Sequence, residues 1–69
     1  MPLTMAPIGE TFAIRKITGR DEIRQHLAEL GFVIGTDVRV VNSISGNLII
    51  QVRESRVALD RNMAGRIII

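Results

Sequence analysis

The stretch "HLAELGFVIGTDVRVV", His26 to Val41, carries two glycines between a helical pattern and a strand pattern. Ahead of the first glycine, Ile23, Leu27 and Leu30 recur at i, i+4 and i+7, one stripe of an amphipathic helix. After the second, Val38 and Val40 alternate with Arg39 and Val41, the period-two pattern of a strand with one buried face. A chain that changes period this abruptly needs backbone freedom at the change. Gly31 falls where a helix stop calls for positive φ, which glycine adopts without a Cβ clash, so it reads as a C-cap glycine. Gly35 permits the tight turn before "TDVRVV". Phe32, Val33 and Ile34 between them are too apolar for an ordinary solvated loop, so at least one should plug the end of the core.

The remaining segments are short and strand-like. "LTMAPIGET" contains Pro7 and Gly9 and reads as an extended lead-in with a turn. "TFAIRKI" sets Phe12 and Ile14 against Ala13 and Arg15, a half-buried first strand ended by Thr18-Gly19. Asp21 then serves as helix N-cap or first-turn acid. "SISGN" reads as a loop whose Gly46-Asn47 pair takes the positive-φ turn positions. In "LIIQV" the residues Leu48, Ile50 and Val52 point inward, and Glu54-Ser55 turns the chain into "RVALD", with Val57 and Leu59 inward. "RNMAG" is a single helical or 3₁₀ turn and "RIII" a closing strand.

A chain of 69 residues without cysteine has no disulfide framework, so its core must hold the fold alone. Its Ile and Val favour strands, and a closed or nearly closed sheet uses them best. The expectation is one domain over residues 1–69, mainly β. It is a small SH3-like barrel of about five strands with one inserted amphipathic helix after the first strand. No apolar run approaches the roughly 18 residues of a membrane span, and the start lacks the pattern of a secretory signal. A cytoplasmic protein without membrane insertion is expected.

The ordered pieces "IGETFAIRKITG", "HLAELGFVIG", "TDVRVV", "RVALD" and "NMAGRIII" resemble the ferrous iron transport protein A (FeoA) family. The likeness runs from Leu3 to Ile69. The resemblance implies an SH3-like accessory protein that supports or regulates the membrane transporter FeoB, whose cytosolic part is a GTP-binding domain. Ile34 and Leu48 stand where relatives often carry proline, and Glu54 where a turn glycine is common.

The residues argue against an enzyme. There is one histidine, no cysteine and no G-x-x-x-x-G-K-[ST] phosphate loop. No cofactor is expected. The only metal candidates are Glu22, His26 and Glu29, which fall within about 60° of one helix face at roughly 100° per residue. One imidazole and two carboxylates are thin for a tight transition-metal site, and a solvated polar face accounts for them. Nucleic-acid binding is the rival class, because eight arginines could track phosphates. Seven acids are interleaved with them, net charge is only +2, and both phenylalanines sit in apolar contexts rather than on a stacking platform.

Apolar residues at the corner and tip are more telling. Ile34 lies in the corner and Ile44 in "SISGN", while Val41 and Ile49 take the outward parity of adjacent strands. Together these four are the candidate partner-binding surface, since contiguous exposed apolar area usually marks one. Gly31 and Gly35 are the structural turns that present it.

Overall fold

The switch at Gly31 and Gly35 is carried by local hydrogen bonding in the computed structural model, which describes residues 1–69. Helix α1 spans Asp21–Glu29, with Leu30 as the last residue in helical conformation. Gly31 follows at φ +105°, its N–H donating to the Ala28 carbonyl at 3.0 Å, and the Phe32 N–H donates to Leu27 at 2.9 Å. This pair of bonds is a Schellman stop, and its usual apolar contact is supplied by Leu27 and Phe32, both in the core. Phe32 is therefore the plug that the corner promised. Gly35 is at φ +89° and donates to the Ile14 carbonyl at 2.8 Å, tying the corner to the first strand. At the other end of α1, Asp21 is the first helical residue and pairs with Arg24. Position 20, the N-cap, is an arginine with no side-chain cap.

Six strands follow in chain order: β1 Thr11–Ala13, β2 Lys16–Ile17, β3 Asp37–Ile44, β4 Asn47–Val52, β5 Ser55–Asp60 and β6 Ile67–Ile68. A four-stranded antiparallel sheet has the order β1-β3-β4-β5, and a second sheet pairs β2 with β6. The architecture is SH3-like, with the two sheets wrapping one core rather than closing by a continuous ladder. The single expected first strand is split between them. Ile14 and Arg15 leave the first sheet, donating to the Thr36 and Ile68 carbonyls, and Ile14 is buried at the seam.

Both hairpins turn one residue earlier than the sequence suggests. Ser45 and Gly46 occupy the positive-φ positions, at +51° and +82°, and Asn47 already pairs with Ile44. The pattern is a two-residue primed turn, whose twist matches that of the strands. Likewise Arg53, at φ +53°, and Glu54 form the second turn, and Ser55 pairs with Val52. "SISGN" is thus the end of a hairpin rather than a separate loop, and Ile44 is a strand residue.

Helix α2, Arg61–Ala64, is the expected single turn; the Asp60 carboxylate accepts from the Met63 N–H at 2.8 Å, an N-cap. The lead-in differs from expectation. Leu3–Met5 form a 3₁₀ turn that sinks Leu3 fully into the core, and Pro2 bridges to Ile68. The core joins Leu3, Ile14, Leu27 and Phe32 to the inward residues of β3, β4 and β5 and to Ile67. Leu30 is only half-buried and packs at its margin. No helix is long and apolar enough to cross a membrane.

Candidate partner-binding surface

Antiparallel register decides which side chains share the outer face of the four-stranded sheet. Residues directly opposite one another point the same way. Val38 with Val52 and Val40 with Ile50 face the core, so Thr11, Arg39, Gln51 and Arg56 form an outward row between them. Beyond Val40 the register shifts, and Asn42 rather than Val41 pairs with Ile49. Val41 is the extra residue of a β-bulge, set beside Asn42 and opposite Ile49.

The bulge has a consequence for Ile44. Strict alternation from Val38 and Val40 would carry Ile44 onto the buried face. With one residue inserted, parity inverts, and Ile44 joins Asn47 on the outer face with 53% of its surface exposed. Ile49 lies diagonally next to it and pairs with Ala58 on β5. Val41 and Ile49 are both half-buried. Three of the four candidate residues, Val41, Ile44 and Ile49, therefore come together on one side of one hairpin.

Ile34 does not join them. It is 70% exposed in the corner preceding β3, whereas Ile44 ends that strand. Seven extended steps, roughly 20 Å, separate Asp37 at the start of β3 from Ile44 at its end, and Ile34 lies before that start. The corner and the hairpin end are separate points, and one small contact cannot cover both. Structure adds a residue in exchange. The Gly9 N–H donates to the Val40 carbonyl, which lays the segment carrying Ile8 beside the bulge, and Ile8 is 61% exposed. An isoleucine held between Pro7 and Gly9, where a polar turn residue would be ordinary, was the available signal.

The other half of the outer face is polar. Thr11, Thr36, Asp37, Arg39, Gln51 and Arg53 line an open groove. Arg56 Nε donates to Gln51 Oε1 at 3.0 Å, and Gln51 Nε2 donates to the Arg53 carbonyl at 3.0 Å. The histidine is not part of this groove. Glu22, His26 and Glu29 are all exposed on α1, and no set of three ligating side chains converges there or elsewhere. The outer face thus sets an apolar patch beside a polar groove that carries two arginines, Arg39 and Arg53, and one aspartate, Asp37.

Comparison with known proteins places this geometry. The FeoA domain family model matches residues 1–69. An Fe(2+) transport protein A of Methanocaldococcus jannaschii is 31% identical over 68 residues, 99% of this chain and 83% of that protein. The crystal structure of an iron uptake regulatory protein, FeoA, superposes with a TM-score of 0.88 at 29% identity, over 97% of this chain and 91% of that one. A Stenotrophomonas maltophilia FeoA complexed with zinc, described as a prokaryotic SH3 domain protein, gives 0.86 at 31% identity, over 99% and 87%.

Proposed function

The chain belongs to the FeoA family of ferrous iron transport proteins, and on that premise we propose that it binds and supports or regulates the FeoB transporter through protein–protein contacts. One observation carries this reading: a bulge turns Ile44 out of the core to stand with Val41 and Ile49 on an outer face. Apolar strand residues turned away from the core forgo the stabilisation of burial, and contiguous exposed apolar area usually marks a partner site. Burying two or three of them contributes about 1.5–3 kcal/mol each at most, against the entropy of association.

The role is that of a cytoplasmic, single-domain, non-enzymatic accessory. It meets the transporter on the side where the GTP-binding domain lies and hydrolyses no GTP itself. Glu22, His26 and Glu29 act as a solvated helix face, and ferrous iron is the transporter's cargo. Gly31 and Gly35 hold the corner, and Ile34 marks a second point of contact distinct from the hairpin.

The test is a calorimetric titration against the FeoB cytosolic domain and the full transporter, with and without guanine nucleotide. Ile44→Asp should abolish binding while costing only about 1 kcal/mol of stability, the scale of strand preference at a half-exposed site. Ile34→Asp separates the two points, because only a contact at the corner would respond to it. Wild-type affinity in a folded Ile44→Asp variant refutes the hairpin as the interface.

A further inference from the structure

Strand β5 is one edge of the four-stranded sheet. It pairs with β4 along its whole length, Ser55 to Asp60, and no backbone hydrogen bond outside the helices and ladders involves these residues. Which of its backbone groups are free follows from the turn. Residues flanking a two-residue hairpin turn form a hydrogen-bonded pair, and bonded and non-bonded pairs then alternate. Val52 with Ser55 is such a flanking pair, so Val57 and Leu59 also bond to β4. Arg56, Ala58 and Asp60 point their N–H groups away from β4. The neighbouring hairpin agrees independently: its flanking pair is Ile44 with Asn47, which turns Asn47 and Ile49 toward β3 and away from Asp60 and Ala58.

We propose that this edge pairs with the β5 edge of a second copy of the chain, antiparallel about a two-fold axis at Ala58. The sequence "RVALD" is self-complementary in that register. Ala58 faces Ala58 of the second copy, Arg56 faces Asp60, and Val57 faces Leu59. The small residue falls on the axis, where two side chains must share space. Opposite charges meet on the outer face, and the apolar pair continues the core side.

The backbone fits the same register. Each Ala58 N–H reaches the carbonyl of the other Ala58, and each Asp60 N–H reaches the opposite Arg56 carbonyl, giving four bonds. Registers centred on Val57 or Leu59 set Arg56 or Asp60 opposite alanine and lose the charge pairing. β5 has no proline, lysine, bulge or inward-facing charge, and the two charges it does carry, Arg56 and Asp60, are of opposite sign and meet in this register. Val57, half-buried in one copy, gains cover in two.

Pairing merges two four-stranded sheets into one and sets Ile49, Ala58, Ala58 and Ile49 side by side across the axis. The apolar outer patch is thereby doubled on one face, a bivalent display for a partner that itself has more than one copy. A single strand pair covers less area than a standard interface, so dissociation in the micromolar range or weaker is expected.

Sedimentation of the wild-type chain from about 10 μM to 1 mM should show a reversible monomer–dimer equilibrium, with the Ala58 and Asp60 amides slowed in hydrogen exchange at high concentration. Ala58→Pro removes an N–H that β4 does not use, so it should fold yet weaken dimerisation at least tenfold. Arg56→Glu, at an exposed site whose side chain bonds only to Gln51, should weaken it several-fold by opposing Asp60 with a like charge. Should the proline variant fail to fold, Arg56→Glu decides the matter alone. A monomer at 1 mM, a folded variant that dimerises as the wild type does, or protection confined to other strands overturns the proposal.

Discussion

Replacing Gly31 by alanine isolates the backbone term of the helix stop. The residue sits at φ +105°, where an L-residue brings its Cβ against neighbouring backbone at a cost of about 1–2 kcal/mol. Surroundings add little, since the nearest atom to the new Cβ would be Val52 Cγ2 at 3.5 Å, an ordinary contact. Alanine also narrows the unfolded ensemble, returning about 0.4–1 kcal/mol. The net loss should be near 1 kcal/mol, a Tm fall of about 4–8 °C for a chain of this size. Relaxing φ offers no escape. It would break the Phe32 N–H bond to Leu27 and swing Phe32, 1% exposed, out of the core. Gly31→Asn should lose less, because asparagine tolerates left-handed backbone. Gly31→Val should lose more than alanine, through its stiff branched side chain beside Val52. Urea denaturation with the m-value checked for constancy provides the assay. An alanine variant within about 0.3 kcal/mol of wild type, or an asparagine variant worse than alanine, would refute the reasoning.

Two further outcomes are expected. Leu27→Ala should cost about 2–5 kcal/mol because its side chain is fully buried, and Leu30→Ala distinctly less because Leu30 is half-buried; equal losses in chemical denaturation would contradict the packing. Ser45→Asn creates the Asn-Gly pair that a two-residue primed turn prefers, so it should raise the melting temperature, and a fall would show that the turn is of another type.

Much of this architecture was legible in the residues because each signal was local. The stripe Ile23, Leu27 and Leu30 placed α1, and the glycine after it located the stop. Alternation in "LIIQV" and "RVALD" chose the inward residues of β4 and β5 correctly. Turn chemistry was less decisive: Ser45-Gly46 and Gly46-Asn47 are both plausible pairs, and only strand register chose between them. Leu3 looked like a residue of a loose lead-in, yet it is fully buried, because the 3₁₀ turn that sinks it packs against α2, distant in sequence.

The candidate surface shows the same division most sharply. Residue types alone determined that Ile34, Val41, Ile44 and Ile49 were apolar in places where polar residues would do, and that Gly31 and Gly35 framed a corner. Those are properties of short segments, set by side-chain chemistry and backbone sterics within a few residues. The tertiary structure decided which of them meet. One inserted residue at Val41 inverts the parity of the rest of β3 and sends Ile44 outward beside Ile49, while Ile34 stays in the corner before the strand begins. A bulge forms when two strands settle their register against a common core, so its position depends on partners distant in sequence.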